Sequence, residues 1–182
     1  MKSKAAVYLL AIGFLLSACS TQPVVTAQAR VGAELSSYKT YAFEPSAGKN
    51  AYGNASIAST HVKAAVRKEM ASRGYTFSEI GSDILVNFNA SIVNLPKKSS
   101  GAVLNLGMFG SYGGVSLGVP VSAAGANDNK ANRIFLELLD TKRKEVVWEG
   151  AYVGALSEQD LAEPSVSIYK AVNSIFSRFP IQ

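Results

Sequence analysis

The sequence predicts an α+β domain: a mainly antiparallel sheet with two helices packed on one face and a glycine-rich hairpin or loop inserted. Three observations lead there. Val62, Val66 and Met70, and again Ile168, Val172, Ile175 and Phe179, recur at the spacing of one helix face. The stretch from Asp83 to Val93 alternates, with Ile84, Val86, Phe88, Ala90 and Ile92 on one side and Asn87, Asn89 and Ser91 on the other, as a strand with one apolar face does. Arg133–Asp140 and Val146–Val153 read as two strands around the charged turn Lys142-Arg143-Lys144. Strand, helix, strands, helix, rather than strict βα alternation, sets the helices to one side of an antiparallel sheet.

The chain opens MKSKAAVYLLAIGFLLSACS. Lys2 and Lys4, the apolar run Ala5–Leu16, and the small residues Ser17 and Ala18 have the layout of a secretory signal over residues 1–18. The run to Ala18 is about fourteen residues, and a membrane-spanning helix needs roughly twenty. Cys19 is the one cysteine of the protein. Leu16-Ser17-Ala18-Cys19 resembles the lipobox of bacterial lipoproteins, which implies cleavage before Cys19 and acylation of its thiol, the strongest side-chain nucleophile near neutral pH. Two or more acyl chains give stable anchoring. Ser20, rather than aspartate, after the cysteine implies the outer membrane in the sorting pattern of such lipoproteins.

Residues 19–31 are polar or small with one proline and read as a lipidated tether, leaving 32–182 as a single domain. Within it, Tyr38–Phe43 alternates aromatic with small or polar residues and reads as a strand ended by Pro45. After a loop over 46–54, Ser59 or Thr60 is placed to cap a helix that runs to about Arg73 and stops at Gly74. If Asp140 pairs with Val146, then Ile134, Leu136 and Leu138 share a face with Val146, Trp148 and Tyr152, the register that best gathers apolar residues. Pro164 suits the first turn of the closing helix, which ends before Pro180.

Length suits one domain with a substantial core. Net charge is +5, and falls to about +3 once Lys2 and Lys4 leave with a signal. The cationic residues are scattered, which argues against a nucleic-acid partner. With Cys19 acylated no disulfide can form, so packing must hold the fold.

Candidate chemistry is sparse. His61, the lone histidine, sits at a helix start with no cysteine near it and reads as a surface residue rather than a metal ligand. In the preferred register Glu137 and Glu149 lie opposite one another on the solvated face, with Cβ atoms about 5 Å apart. Such a pair either repels slightly in solvent or serves acid–base work or a hard cation. The stretch from Ser99 to Asn129 is rich in glycine and almost free of charge. Gly110, Gly114 and Gly118 have small-residue helix-packing spacing, yet Gly107 and Gly113 would add about 1 kcal/mol each to the cost of a helix. A strand pair or loop is favoured, and Met108, Phe109 and Tyr112 would supply its contact area against a lipid surface or a partner strand.

YKTYAF, SDILVNF, the pair LLD and VVWEG, and the closing RFP together resemble the motifs of domain of unknown function 4136, a family of small lipoprotein-anchored domains. The resemblance covers roughly Val24 to Pro180 and implies no activity. The family often has a basic residue after the tryptophan, where this chain has Glu149. These readings predict a non-enzymatic outer-membrane accessory or binding module on the periplasmic face, with no cofactor or metal and an envelope protein or lipid as partner. The alternatives are a carrier of an apolar ligand or lipid, which needs a cavity of about 300 Å³ or more, and an envelope hydrolase using Glu137 and Glu149.

Overall fold

The computed structural model describes residues 22–48, 56–94, 103–107, 116–120 and 130–180. Cys19, Met108, Phe109 and Tyr112 lie outside the described residues, as does the whole of the 1–18 stretch.

Six strands form one sheet in the order β1-β8-β7-β4-β2-β3. They are β1 (Val24–Ala29), β2 (Thr40–Phe43), β3 (Thr76–Phe77), β4 (Ile84–Asn94), β7 (Lys130–Asp140) and β8 (Glu145–Ala155). The long pairs β4–β7, β7–β8 and β1–β8 are antiparallel. Only the short β2 is parallel to its neighbours β3 and β4. The glycine-rich insert supplies a separate two-stranded antiparallel ribbon, β5 (Val103–Gly107) with β6 (Ser116–Pro120).

Helices α1 (Ile57–Ser72) and α3 (Pro164–Phe176) share one face of the sheet, and a short α2 (Glu158–Ala162) precedes α3. Their inward residues Val62, Val66, Met70, Ile168, Val172 and Ile175 meet Ile84, Val86, Leu136, Leu138 and Trp148 in one buried core. Trp148 packs 5.5 Å from Phe176 and 5.1 Å from Phe179, centroid to centroid. Arg73 clasps the two long helices. Its guanidinium donates to the Glu69 carboxylate at 2.7 Å and to the Phe176 carbonyl at 2.8 Å, an orphan acceptor at the end of α3.

Four sequence expectations need correction. Residues 24–29 are not tether: they form a strand that pairs with β8 throughout. The domain therefore starts at 24, and the stretch between Cys19 and the sheet shrinks to residues 20–23. The α1 cap is Ser56, whose side chain accepts the Ser59 amide; Ser59 itself is buried one turn in. The hairpin follows the expected register from Ala131 to Leu138, but a bulge between Leu138 and Leu139 pairs Val146 with Leu139 and Glu145 with Asp140. The extra residue, Val147, is fully buried together with Trp148, so the bulge lets two consecutive apolar residues stay inside. The fourth correction concerns the glutamates.

Candidate functional site

Cross-strand register on the face away from the helices sets four polar residues in one row. Asn87 lies opposite Glu137, Glu137 opposite Glu149, and Glu149 opposite Gln28. Two amides thus bracket two carboxyls. Asn87 Nδ2 donates to Glu137 Oε2 at 3.2 Å, and Gln28 Nε2 donates to Glu149 Oε1.

The sequence correctly opposes these glutamates but places them in solvent, whereas Glu137 is 6% and Glu149 5% exposed. Their face also carries Phe135, Leu139, Ala151 and Val153, all buried. A strand that is apolar on both sides, as in Ile134-Phe135-Leu136 and Leu138-Leu139, signals a sheet buried on both faces. Burial pushes the Glu137 carboxyl above its ordinary range, and the neighbouring Glu149 charge pushes the same way, against the Asn87 hydrogen bond. The row therefore favours the protonated form of Glu137 over its charged form.

A second cluster lies at the β7–β8 turn. Asp140 accepts the Lys142 and Arg143 amides on Oδ1, both at 2.8 Å, and Tyr38 Oη at 2.8 Å and Arg143 Nε at 2.9 Å on Oδ2. Burial alone would raise its pKa; these hydrogen bonds outweigh that and bring it down to about 2. Arg143 of the charged turn is thus engaged in closing it, and Lys144 takes a positive φ of 58° there.

On the helix face, a cleft of about 160 Å³ opens between the start of α1, the ends of β4 and β7, and α2 with the first turn of α3. Its walls are largely apolar, including Ala90, Ile92, Leu156, Leu161 and Ile168. Ile92 is 61% and Leu161 39% exposed, so the mouth is apolar as well. Asn132 lines it and is 8% exposed. Asp160, also in the wall, closes a capping box with Ser157 at the start of α2, and hydrogen bonds from Ser157 hold its carboxyl below the ordinary range despite burial. Sequence reasoning missed Asn132, Asp160 and α2. The capping pattern Ser157-Glu158-Gln159-Asp160 was the available signal.

His61 lies within α1, and no cluster of three or more metal-ligating side chains occurs among the described residues. No helix among them is long and apolar enough to cross a membrane.

No curated protein matches the chain. Among solved structures, it is similar to a PDZ domain protein from Parabacteroides distasonis with 14% identity and a TM-score of 0.59, covering 100% of this chain and 40% of that one. The chain thus spans less than half the length of that relative. It is also similar to a DUF4136 family protein from Bacteroides thetaiotaomicron, with 15% identity, a TM-score of 0.55, and coverage of 87% of this chain and 96% of that one. At these identities the likeness is one of fold. The family model for the domain of unknown function DUF4136 matches residues 24–181, from the first residue of β1 to past the end of the described domain. The chain belongs to the DUF4136 family.

Proposed function

We propose that the protein is a lipid-anchored, non-enzymatic module of the outer membrane that holds a binding surface at the periplasmic face. The observation that carries this reading is the placement of the lone cysteine, Cys19, between an apolar signal-like run and a sheet that begins at Val24. Residues 20–23 span at most about 14 Å. The domain is therefore held against the bilayer with little freedom. The 160 Å³ cleft is about half the volume that carriage of a drug-sized or lipid ligand requires, so it suits a short apolar group presented by a partner. The amide-bracketed Glu137 and Glu149 sit on the other face of the sheet, away from that cleft, which speaks against a carboxylate pair working on a substrate bound in it.

Replacing Cys19 with alanine tests the anchor. The expected result is an uncut precursor that no longer cofractionates with the outer membrane. The domain itself should still fold, because Cys19 precedes the first strand. A Cys19→Ala protein still held in that membrane after salt and carbonate washing refutes the anchor.

A further inference from the structure

We propose that the cleft on the helix face binds an aliphatic side chain of leucine or isoleucine size from a peptide that carries lysine or arginine beside it. This deepens the reading of the cleft as a partner site and rests on it. Six large apolar side chains stand exposed among the described residues, and four of them, Ile57, Ile92, Leu161 and Val166, belong to the segments that form the cleft. Exposed apolar residues scattered singly need no explanation, whereas a cluster around a depression marks a contact site. A dry cavity of about 150 Å³ takes a benzene-sized group. The 160 Å³ here therefore suits one aliphatic side chain and not a lipid tail.

Asn132 sets the polar requirement on that ligand. It is more than nine-tenths buried in the cleft wall, and across the sheet it lies between Ile92 and Gly154, neither of which has a polar side chain. Its carboxamide has no hydrogen-bond partner among the described residues. A buried amide without a partner weakens a fold unless something bound there satisfies it. A carboxamide donates and accepts at once, which matches the C=O and N–H of a peptide group. An acyl chain offers neither.

Charge supplies the flanking residues of the ligand. The run Glu158–Glu163, which is α2 and the residue after it, holds three carboxylates and no cation in a chain whose net charge is +5. Glu158 and Glu163 are exposed, and Asp160 lines the cleft itself, tied to Ser157 by the capping box. Lys170 of α3 offsets part of the Asp160 charge, and the wall as a whole stays acidic. Such a wall attracts a lysine or arginine next to the buried side chain and repels an anionic lipid headgroup. Size, the open amide and charge thus favour the same occupant, a basic peptide with an aliphatic anchor.

The test is photolabelling of the full chain in isolated cell envelopes. The probe is a blocked pentapeptide, glycine-lysine-leucine-lysine-glycine, with the diazirine analogue of leucine at its centre. Irradiation and mass spectrometry should place adducts on the cleft segments 57–58, 90–92 and 161–168. The unlabelled leucine peptide should compete at least about tenfold better than the same peptide with alanine for leucine, or with glutamate for both lysines. Asn132→Ala, and separately the double change Glu158→Lys with Glu163→Lys, should each cut the adduct yield about tenfold. Asn132→Ala should melt no lower than the parent, because the amide it removes has no partner to lose. Adducts absent from these segments, equal competition by the alanine peptide, or labelling indifferent to either variant overturns the proposal. A lower melting temperature for Asn132→Ala overturns it too, since the amide would then be bonded within the protein. So does displacement of the label by phosphatidylethanolamine–phosphatidylglycerol vesicles but not by the leucine peptide, which would assign the cleft to lipid. The label reads the cleft whether or not Cys19 is acylated, so Cys19→Ala fractionation judges the anchor separately.

Discussion

Replacing Glu137 with glutamine should stabilise the domain at neutral pH. The Glu137 and Glu149 side chains stem from directly opposed residues with Cβ atoms about 5 Å apart. Two full charges at that distance in a medium of effective dielectric near 20 repel by about 3 kcal/mol. Part of this is relieved because Asn87 and Gln28 each donate to one carboxylate, and part because Glu137 holds its proton to higher pH. The net cost at pH 7.5 is therefore smaller, about 1 to 2 kcal/mol. The sign follows from linkage. The Glu137 pKa is raised on folding, so the folded state binds the proton more tightly, and stability falls as pH rises from the ordinary value of 4.5 through the folded one. Glutamine keeps the shape and one acceptor for Asn87 but has no charge to bury. Urea unfolding at pH 7.5 and pH 4 measures the effect: the Glu137→Gln midpoint should exceed that of the parent at pH 7.5 with an unchanged m-value, and the gap should close at pH 4. A variant that is less stable than the parent at pH 7.5 by 1 kcal/mol or more refutes the reasoning. It would mean that both charges are held by a cation or by further donors.

Asp140 should behave in the opposite sense. Its pKa is lowered on folding from 3.8 to about 2, so it contributes about 2 kcal/mol above pH 4 that is lost as pH falls through 2, and Asp140→Asn should cost that much at pH 7 but little near pH 2 in urea titrations. Gly150→Ala should destabilise by about 1 to 3 kcal/mol in the same assay, since an added Cβ would lie 2.4 Å from Ile175 Cγ2 and 2.9 Å from the Trp148 ring. Arg73→Lys should lower the melting temperature, because an ammonium cannot bridge the Glu69 carboxylate and the Phe176 carbonyl as the fork does; an unchanged melt would show that the clasp is incidental.

Local periodicity carried most of the architecture into the sequence. The α1 and α3 faces, the β4 alternation and the opposition of Glu137 to Glu149 are all short-range patterns, and each appears in the structure. What stayed hidden depends on distant partners. Residues 24–29 look like linker because two of the six are alanine and none is aromatic; they become a strand only because β8 offers a ladder. The Glu137 environment was misjudged for a related reason. Alternation in β4 suggests one wet face, whereas the buried Phe135 and Leu139 make β7 apolar on both sides. The cleft was illegible because α2, β4 and β7 meet there from positions scattered along the chain.

The union of the first strand with the last has a consequence for how the molecule comes into being. Gln28 and Glu149 are 121 residues apart along the chain, yet they are direct neighbours in the sheet. As the polypeptide emerges from its N-terminus, β1 has no template to lie on until the β7–β8 hairpin has followed. Closing so long a loop is slow relative to forming α1 or the hairpin itself. The sheet can assemble from β4, β7 and β8 first and admit β1 last, with an open ladder on β8 waiting for it. Until then those six residues lack the β8 ladder that makes them a strand. The order in which the sheet closes thus follows from the distance along the chain between its first and last strands.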